Sequence, residues 1–236
     1  MGSLENLREK VKKYSNSEKA KFLQGFFKTG EGQYGYGDIF LGITVPNLRK
    51  ISIQFPNLSL QEIQILLKSK FHEERLLALL LLVNQFKKAK GESKLNYFKF
   101  YLKNAKNINN WDLVDASADK IVGEYILDKD RSILLKLAKS ENLWERRIAI
   151  IATYSFIKKG EFKDTFKIAE VLLNDKEDLI QKAVGWMLRE VGKKSSKEVL
   201  SGFLKIHYQK MPRTMLRYSI EHFSPKVRLR YLKSQI

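Results

Sequence analysis

The sequence lacks cysteine altogether, and proline and glycine are scarce, with 4 and 13 residues among 236. The absence of cysteine excludes disulfides, a thiolate nucleophile and a cysteine-ligated zinc. The three histidines, His72, His207 and His222, have no spacing that suits a metal. We therefore expect neither a metal nor another cofactor. The scarcity of proline and glycine favours helices over irregular structure.

Long hydrophobic runs are also missing. The longest apolar run covers residues 76–83, whereas a membrane helix needs about 20 apolar residues. The chain begins without the apolar core of a secretory signal. We expect a soluble, cytoplasmic protein with no membrane partner.

Acidic residues are few relative to basic ones. The chain has 44 Lys and Arg against 26 Asp and Glu, a formal net charge of +18. Such an excess favours a polyanionic partner, and nucleic acid is the first candidate. A lysine-rich proteome would give the same bias without any partner, so charge alone leaves both interpretations open.

Apolar residues recur with helical period. Leu76, Leu79, Leu80 and Val83 fall at i, i+3, i+4 and i+7, which predicts a helix with one buried face. Similar helices open at intervals of about 32 to 39 residues, close to the period of helix-pair repeats. The openings are residues 72–75, 111–112, 144–147, 180–183 and 212–215. Each follows another predicted helix, at 60–68, 95–104, 132–138, 162–173 and 197–208.

Paired helices at this period predict an all-α fold, an α-solenoid of HEAT-like helix pairs forming one domain over residues 1–236. Such a stack presents one row of helices on a concave face, and here that row carries the Arg and Lys residues. An irregular all-α globule is the alternative.

Residues 29–43 interrupt the helical pattern. Four glycines and two tyrosines, Tyr34 and Tyr36, fall between Thr29 and Asp38. This composition predicts a loop or a short β-hairpin rather than a helix. The two tyrosines would either stack on a nucleic-acid base or pack on the first repeat. The sequence leaves both possibilities open.

Residues 109–115 place two carboxylates and an indole within about one and a half helical turns. Trp111 and Asp115 are spaced i,i+4, so they share one helix face. A carboxylate beside an aromatic face suits a cation-like species, such as the transition state of glycosidic-bond cleavage. Acids at a helix start also stabilise the helix, with Asn110 or Asp112 as its N-cap, so ordinary capping is the alternative.

A second aromatic residue lies off the apolar stripe of its helix. Three cations surround Trp186 at i−4, i+3 and i+7, namely Lys182, Arg189 and Lys193. This grouping favours stacking on a sugar or base, although Trp186 would also fill a seam between repeats. Two further arginines, Arg146 and Arg147, suit phosphate because of their planar guanidinium groups, with surface ion pairing as the alternative.

Three stretches resemble, in the same order, the AlkD family of HEAT-like-repeat bacterial DNA glycosylases. They are residues 110–115, 142–147 and 180–190, and the similarity runs from about Ser17 to the C-terminus. The resemblance implies a monomeric protein of the bacterial cytoplasm that acts at the nucleoid and holds double-stranded DNA on its concave face. It implies hydrolysis of the N-glycosidic bond of cationic N3- or N7-alkylpurines, without metal or cofactor.

The resemblance also assigns roles to residues. Asp115 is the catalytic carboxylate, Trp111 and Trp186 are aromatic walls around the deoxyribose, and Arg147 holds the DNA backbone. Further predicted DNA contacts, from the resemblance or from charge and aromatic character, are Arg189, Lys182, Lys193, Arg146, Lys158, Tyr34, Tyr36 and Phe26.

The chain departs from the family pattern in three places. Phe26 stands where the best-known members have a DNA-contacting tyrosine, and Ser155 replaces a lysine. Residues 30–37 resemble a hairpin of a sister branch that binds branched DNA without evident glycosylase activity. Two other functions therefore stay open: non-catalytic binding of branched or distorted DNA, and an α-solenoid scaffold for protein interactions.

Overall fold

The computed structural model describes residues 3–236, so the first two residues of the predicted domain lie outside the described part. The chain divides into two compact units, Met1–Ser117 and Ala118–Ile236. The helices that begin in the first unit are α1 (Ser3–Lys12), α2 (Ser17–Phe26), α3 (Val45–Gln54), α4 (Leu60–Leu67), α5 (His72–Lys88), α6 (Glu92–Lys103) and α7 (Trp111–Ala118).

The second unit opens with a π-helical turn, Asp119–Gly123. Its α-helices are α8 (Ser132–Ala138), α9 (Leu143–Ala152), α10 (Tyr154–Ile157), α11 (Lys163–Val171), α12 (Asp178–Lys194), α13 (Lys197–His207), α14 (Arg213–Ser219) and α15 (Pro225–Leu232). Within residues 3–236, no helix combines the length and apolar character needed to pass through a bilayer.

The all-α prediction is confirmed, and so is the order of the helix pairs. The five predicted openings lie within two residues of the starts of α5, α7, α9, α12 and α14. The predicted partner helices α4, α6, α8, α11 and α13 precede them along the chain. The single domain over residues 1–236 and the concave basic face stay predictions.

The first unit is built around α5, which packs against α3 and α4. Its predicted apolar face is buried, but Leu77, Leu81 and Leu82 outside that face are buried too, and so is its charged first turn. Burying charged groups is unfavourable unless they are paired or hydrogen-bonded. The first turn of α5, His72–Arg75, therefore requires partners from other parts of the unit.

Residues 29–43 form a series of turns, so the loop alternative is correct and the hairpin alternative is wrong. Within the described residues, the β pairing consists of one parallel bridge between Ile39 and Phe71. The backbone amides of residues 41–43 donate to the Glu73 carboxylate, at 2.8 to 3.2 Å, instead of to a partner strand. The amide of Gly35 donates to the Lys28 carbonyl, which folds the loop back against the end of α2.

The second unit is built around α12, which packs against α9, α13 and α14. The periodicity predicts a buried stripe of seven residues on α12. Leu179 is only half-buried, and the other six are buried: Ile180, Ala183, Val184, Met187, Leu188 and Val191. Gly185 lies where α14 comes closest. A Cβ atom at this position would lie 2.5 Å from the Tyr218 Cβ and 2.6 Å from the Met215 carbonyl oxygen.

We expect the Gly185→Ala variant to lose about 2 kcal/mol of unfolding free energy, because the added methyl group forces α14 away from α12. Urea unfolding measures the change. The matched control is Gly202→Ala in α13, where a Cβ meets nothing within 4 Å, and a gain of up to about 1 kcal/mol is expected. Equal stability of the two variants would contradict the close packing at Gly185.

Candidate functional site

The start of α7 lies within residues 109–115, the segment that the sequence marks as a candidate site. Asn110 precedes the helix, and its side-chain oxygen accepts a hydrogen bond from the Trp111 amide at 2.8 Å. The Asp112 carboxylate instead accepts a hydrogen bond from His72 Nε2 at 2.8 Å. The expectation that Asp112 caps the helix is therefore wrong, since a buried imidazole from α5 engages its carboxylate. Asn110 is the capping residue.

His72 lies between two carboxylates and is 2% exposed. Its Nδ1 is 3.1 Å from Asp38 Oδ2, while its Nε2 faces Asp112. Burial disfavours the imidazolium, but the hydrogen bonds to Asp112 and Asp38 outweigh it and raise the pKa of His72 to about 9. His72 is therefore an imidazolium at neutral pH, and both of its ring nitrogens donate.

Asp38, in the loop, is the other end of this cluster. Arg75 pairs with its Oδ1 at 2.6 Å, and Asn110 Nδ2 donates to its Oδ2 at 3.4 Å. Burial acts to raise the pKa of the Asp38 carboxyl, but His72 and Arg75 together hold it below its usual value. The cluster therefore pairs the charged first turn of α5 with the loop and with the start of α7.

The Trp111 ring belongs to a group of aromatic side chains. Phe27 stacks on it, with ring centroids 5.2 Å apart and planes 13° apart, and Phe26 meets it edge-on at 6.1 Å. The indole Nε1 donates to the Tyr34 hydroxyl at 3.3 Å. Trp111 and Asp115 are each half-buried, so both keep part of their surface accessible.

A cavity of about 410 Å³ opens beside Phe26 and Phe27. Its lining is largely apolar, and His72 and Asp112 are among its few polar residues. The cavity lies next to the predicted aromatic wall, because Phe26 and Phe27 both contact the Trp111 ring.

Trp186, in the second unit, also lies near another aromatic ring, but its group is smaller than the one around Trp111. It is half-buried in α12, and the Tyr154 ring lies 6.5 Å from it, tilted by 36°. The Lys158 ammonium is 5.2 Å from the centroid of the Tyr154 ring. Tyr154 thus links the predicted wall residue to a predicted DNA-binding lysine, a role that the sequence did not predict. The i,i+4 spacing of Tyr154 and Lys158 was the available signal.

The lysines predicted to contact DNA differ in what they contact. Lys158 pairs with Asp119 at 3.2 Å, beside the π-helical turn, and Lys182 pairs with Asp178 at 2.6 Å. Lys193 is exposed. Ser155 is buried and donates to the Asp119 carbonyl at 2.7 Å.

The predicted arginines contact protein groups within the second unit. Arg146 pairs with Asp175 at 2.7 Å, and Arg189 pairs with Glu221. Arg147 is 5% exposed and donates to the Leu179 carbonyl at the start of α12. Each of the three guanidinium groups already has a protein partner. Their contacts with DNA therefore stay predictions.

The predicted site residues are thus distributed over both units. The first contains Asp115, Trp111, Phe26, Tyr34 and Tyr36, and the second contains Trp186, Arg147, Arg146, Arg189, Lys158, Lys182 and Lys193. The first unit brings Trp111, Phe26 and Tyr34 together, while Tyr36 is 67% exposed. Across residues 3–236, no group of three or more histidines and carboxylates is arranged to hold a metal ion.

The fold and these clusters define a class of protein, an all-α protein of successive helix pairs. An aromatic group lies beside a charged cluster in the first unit, and a smaller group of Trp186, Tyr154 and Lys158 lies in the second. The family model for the DNA alkylation repair enzyme matches residues 7–223. The chain therefore belongs to the DNA alkylation repair enzyme family, which indicates DNA as its partner.

The fold is shared with a solved structure described as a predicted DNA alkylation repair enzyme from Enterococcus faecalis. The two chains are 21% identical, with a TM-score of 0.71, and the alignment covers 89% of this chain and 97% of the other. At this identity the likeness shows the fold alone. No curated protein matches the sequence significantly.

Proposed function

We propose that the protein is a DNA glycosylase that hydrolyses the N-glycosidic bond of cationic N3- or N7-alkylpurines. The observation that carries the proposal is the placement of Trp111 and Asp115 on one face of α7, both half-buried. Membership of the DNA alkylation repair family and the charge of +18 supply the context.

The chemistry suits a site of this composition. An alkylated purine already carries a positive charge, so it leaves without a general acid. As the bond from the sugar to the base breaks, its electron pair neutralises the base, and positive charge grows on the deoxyribose. Water adds to the sugar carbon that was bonded to the base, and it loses a proton to solvent. Asp115 supplies the opposite charge, and the Trp111 face contacts the sugar.

The proposal also includes the predicted DNA contacts of the second unit. Trp186 acts as a second aromatic wall, and Arg147, with Arg189 nearby, contacts the backbone. Double-stranded DNA is the substrate and the protein acts as a monomer. It would meet this substrate in the bacterial cytoplasm, at the nucleoid.

The proposal is tested by two measurements on one preparation. We expect purified protein to release 7-methylguanine or 3-methyladenine from methylated duplex DNA, detected by chromatography of the free bases. We also expect DNA affinity to fall steeply with salt, by about 10³-fold or more between 50 and 200 mM if six or more phosphates are contacted. Affinity that does not depend on salt would favour a protein-interaction scaffold.

A second candidate function is the binding of branched or distorted DNA without catalysis. The observation that favours it is the exposed aromatic surface near the loop, where Tyr36 is 67% and Phe22 70% exposed. Exposed rings of this kind stack on unpaired bases. Tight binding to a four-way junction with no release of any alkylated base would establish this function and exclude the glycosylase.

A further inference from the structure

Three consecutive residues at the start of α7 are each held by a separate contact. Asn110 donates to Asp38, Trp111 donates to the Tyr34 hydroxyl, and Asp112 accepts from His72. Two of these contacts come directly from the loop of residues 29–43. The third reaches the same loop through His72, whose other ring nitrogen faces Asp38.

The loop is itself fixed to the first turn of α5. The Glu73 carboxylate accepts hydrogen bonds from the amides of Leu41, Gly42 and Ile43. Gly42 has a φ of +78°, and a Cβ there would lie 2.0 Å from the Asn16 carbonyl oxygen, so the loop also passes close to the start of α2. These contacts make the loop a rigid support for α7.

The two tyrosines of the loop differ in a way that separates support from DNA contact. Tyr34 is half-buried, with its hydroxyl at the indole nitrogen of Trp111. Tyr36, two residues later, is 67% exposed. The exposed Tyr36 ring is accessible for stacking on DNA. The Tyr34 hydroxyl instead accepts a hydrogen bond from the Trp111 indole, which restricts the orientation of the indole ring.

We infer that Tyr34 is a positioning residue for Trp111, supported by the contacts of Asp38 and His72 with the flanking residues of α7. This inference rests on the proposed function, because the value of a fixed indole lies in meeting the reacting sugar. Small displacements of a catalytic group reduce rates greatly, by about 100-fold for 1 Å. The loop then acts on the reaction through the geometry of Trp111, without touching the substrate at Tyr34.

The test compares Tyr34→Phe with Tyr36→Phe, since each variant removes one hydroxyl from the same loop. In the free protein, the indole N–H resonance of Trp111, assigned with Trp111→Phe, should shift and exchange faster with water in Tyr34→Phe only. With saturating protein, single-turnover release of 7-methylguanine should fall about tenfold in Tyr34→Phe. The Kd for DNA should stay within about twofold in Tyr34→Phe. In Tyr36→Phe, the indole resonance of Trp111 should match that of the unsubstituted protein, because Trp111 keeps its contact with Tyr34.

Two results would overturn the inference. An unchanged indole resonance in Tyr34→Phe would show that the hydroxyl does not hold Trp111. A loss of DNA affinity as large as the loss of rate would show that Tyr34 contacts DNA directly. If the unsubstituted protein releases no base, the proposed function fails, and the resonance and DNA affinity of the two variants still decide the role of Tyr34.

Discussion

The Asp115→Asn variant is expected to release alkylated purines at least about 100-fold more slowly than the unsubstituted protein, while binding DNA as tightly or more tightly. The rate falls because the amide cannot oppose the positive charge that develops on the sugar. Affinity is kept or raised because the substitution removes a negative charge that repels the phosphates. Single-turnover release and equilibrium binding to the same duplex measure the two effects separately.

A control for the charge change is Asp128→Asn, at an exposed turn of the second unit. It alters the net charge by the same amount, so any general effect on DNA affinity is matched. Its rate of base release should equal that of the unsubstituted protein. If Asp115→Asn loses affinity together with rate, Asp115 stabilises the fold and is not the catalytic carboxylate.

The free energy of unfolding is expected to fall by about 3 kcal/mol as the pH rises from 6.5 to 9. The cause is His72, whose pKa is raised to about 9 in the folded protein but returns to about 6.5 on unfolding. Below pH 6.5 the folded and unfolded states both bind the proton, so the stabilisation is complete. Between the pKa of the unfolded state and that of the folded state, only the folded protein keeps the proton on His72. The stabilisation is therefore lost as the pH approaches 9. Urea unfolding at a series of pH values measures the slope.

The His72→Gln variant separates this effect from other titrations. It should be less stable at pH 6.5 and should lose the steep dependence above that pH. The matched control is His207→Gln, which removes a histidine near the surface that pairs with Glu170. The control should retain the full slope, and an unchanged slope in His72→Gln would show that another group is responsible.

Much of the fold could be predicted because it depends on local periodicity. The stripe of α12 and the starts of α5 and α9 follow from apolar residues at helical spacing, which each helix carries within its own sequence. Turns with several glycines were also recognisable as interruptions. The path of the loop could not be predicted, because glycine permits many conformations. The Glu73 carboxylate, 30 residues beyond Ile43 in the chain, fixes that path through hydrogen bonds.

The candidate site could be predicted only in part, for the same reason. Trp111 and Asp115 share a helix, so their common face follows from spacing alone. The pairing of His72 with Asp38 and Asp112 joins residues 34 and 40 positions apart. No rule based on spacing along the chain identifies such a pairing. The spacing of the three histidines could be used only to ask whether they bind a metal together. Arg147 shows a further limit, because the sequence suggested an arginine facing phosphate and did not predict its burial.

The contacts that hold α7 also bear on the order of folding. Tyr34 and Trp111 are 77 residues apart in the chain, and Asp38 and Asn110 are 72 apart. Contacts between distant residues form slowly, because a long loop must close before they stabilise anything. During synthesis, the early loop emerges from the ribosome long before the residues that it holds. We therefore expect α2 to α5 to fold first and the aromatic wall to form last, so substitutions at Tyr34 should speed unfolding more than they slow folding.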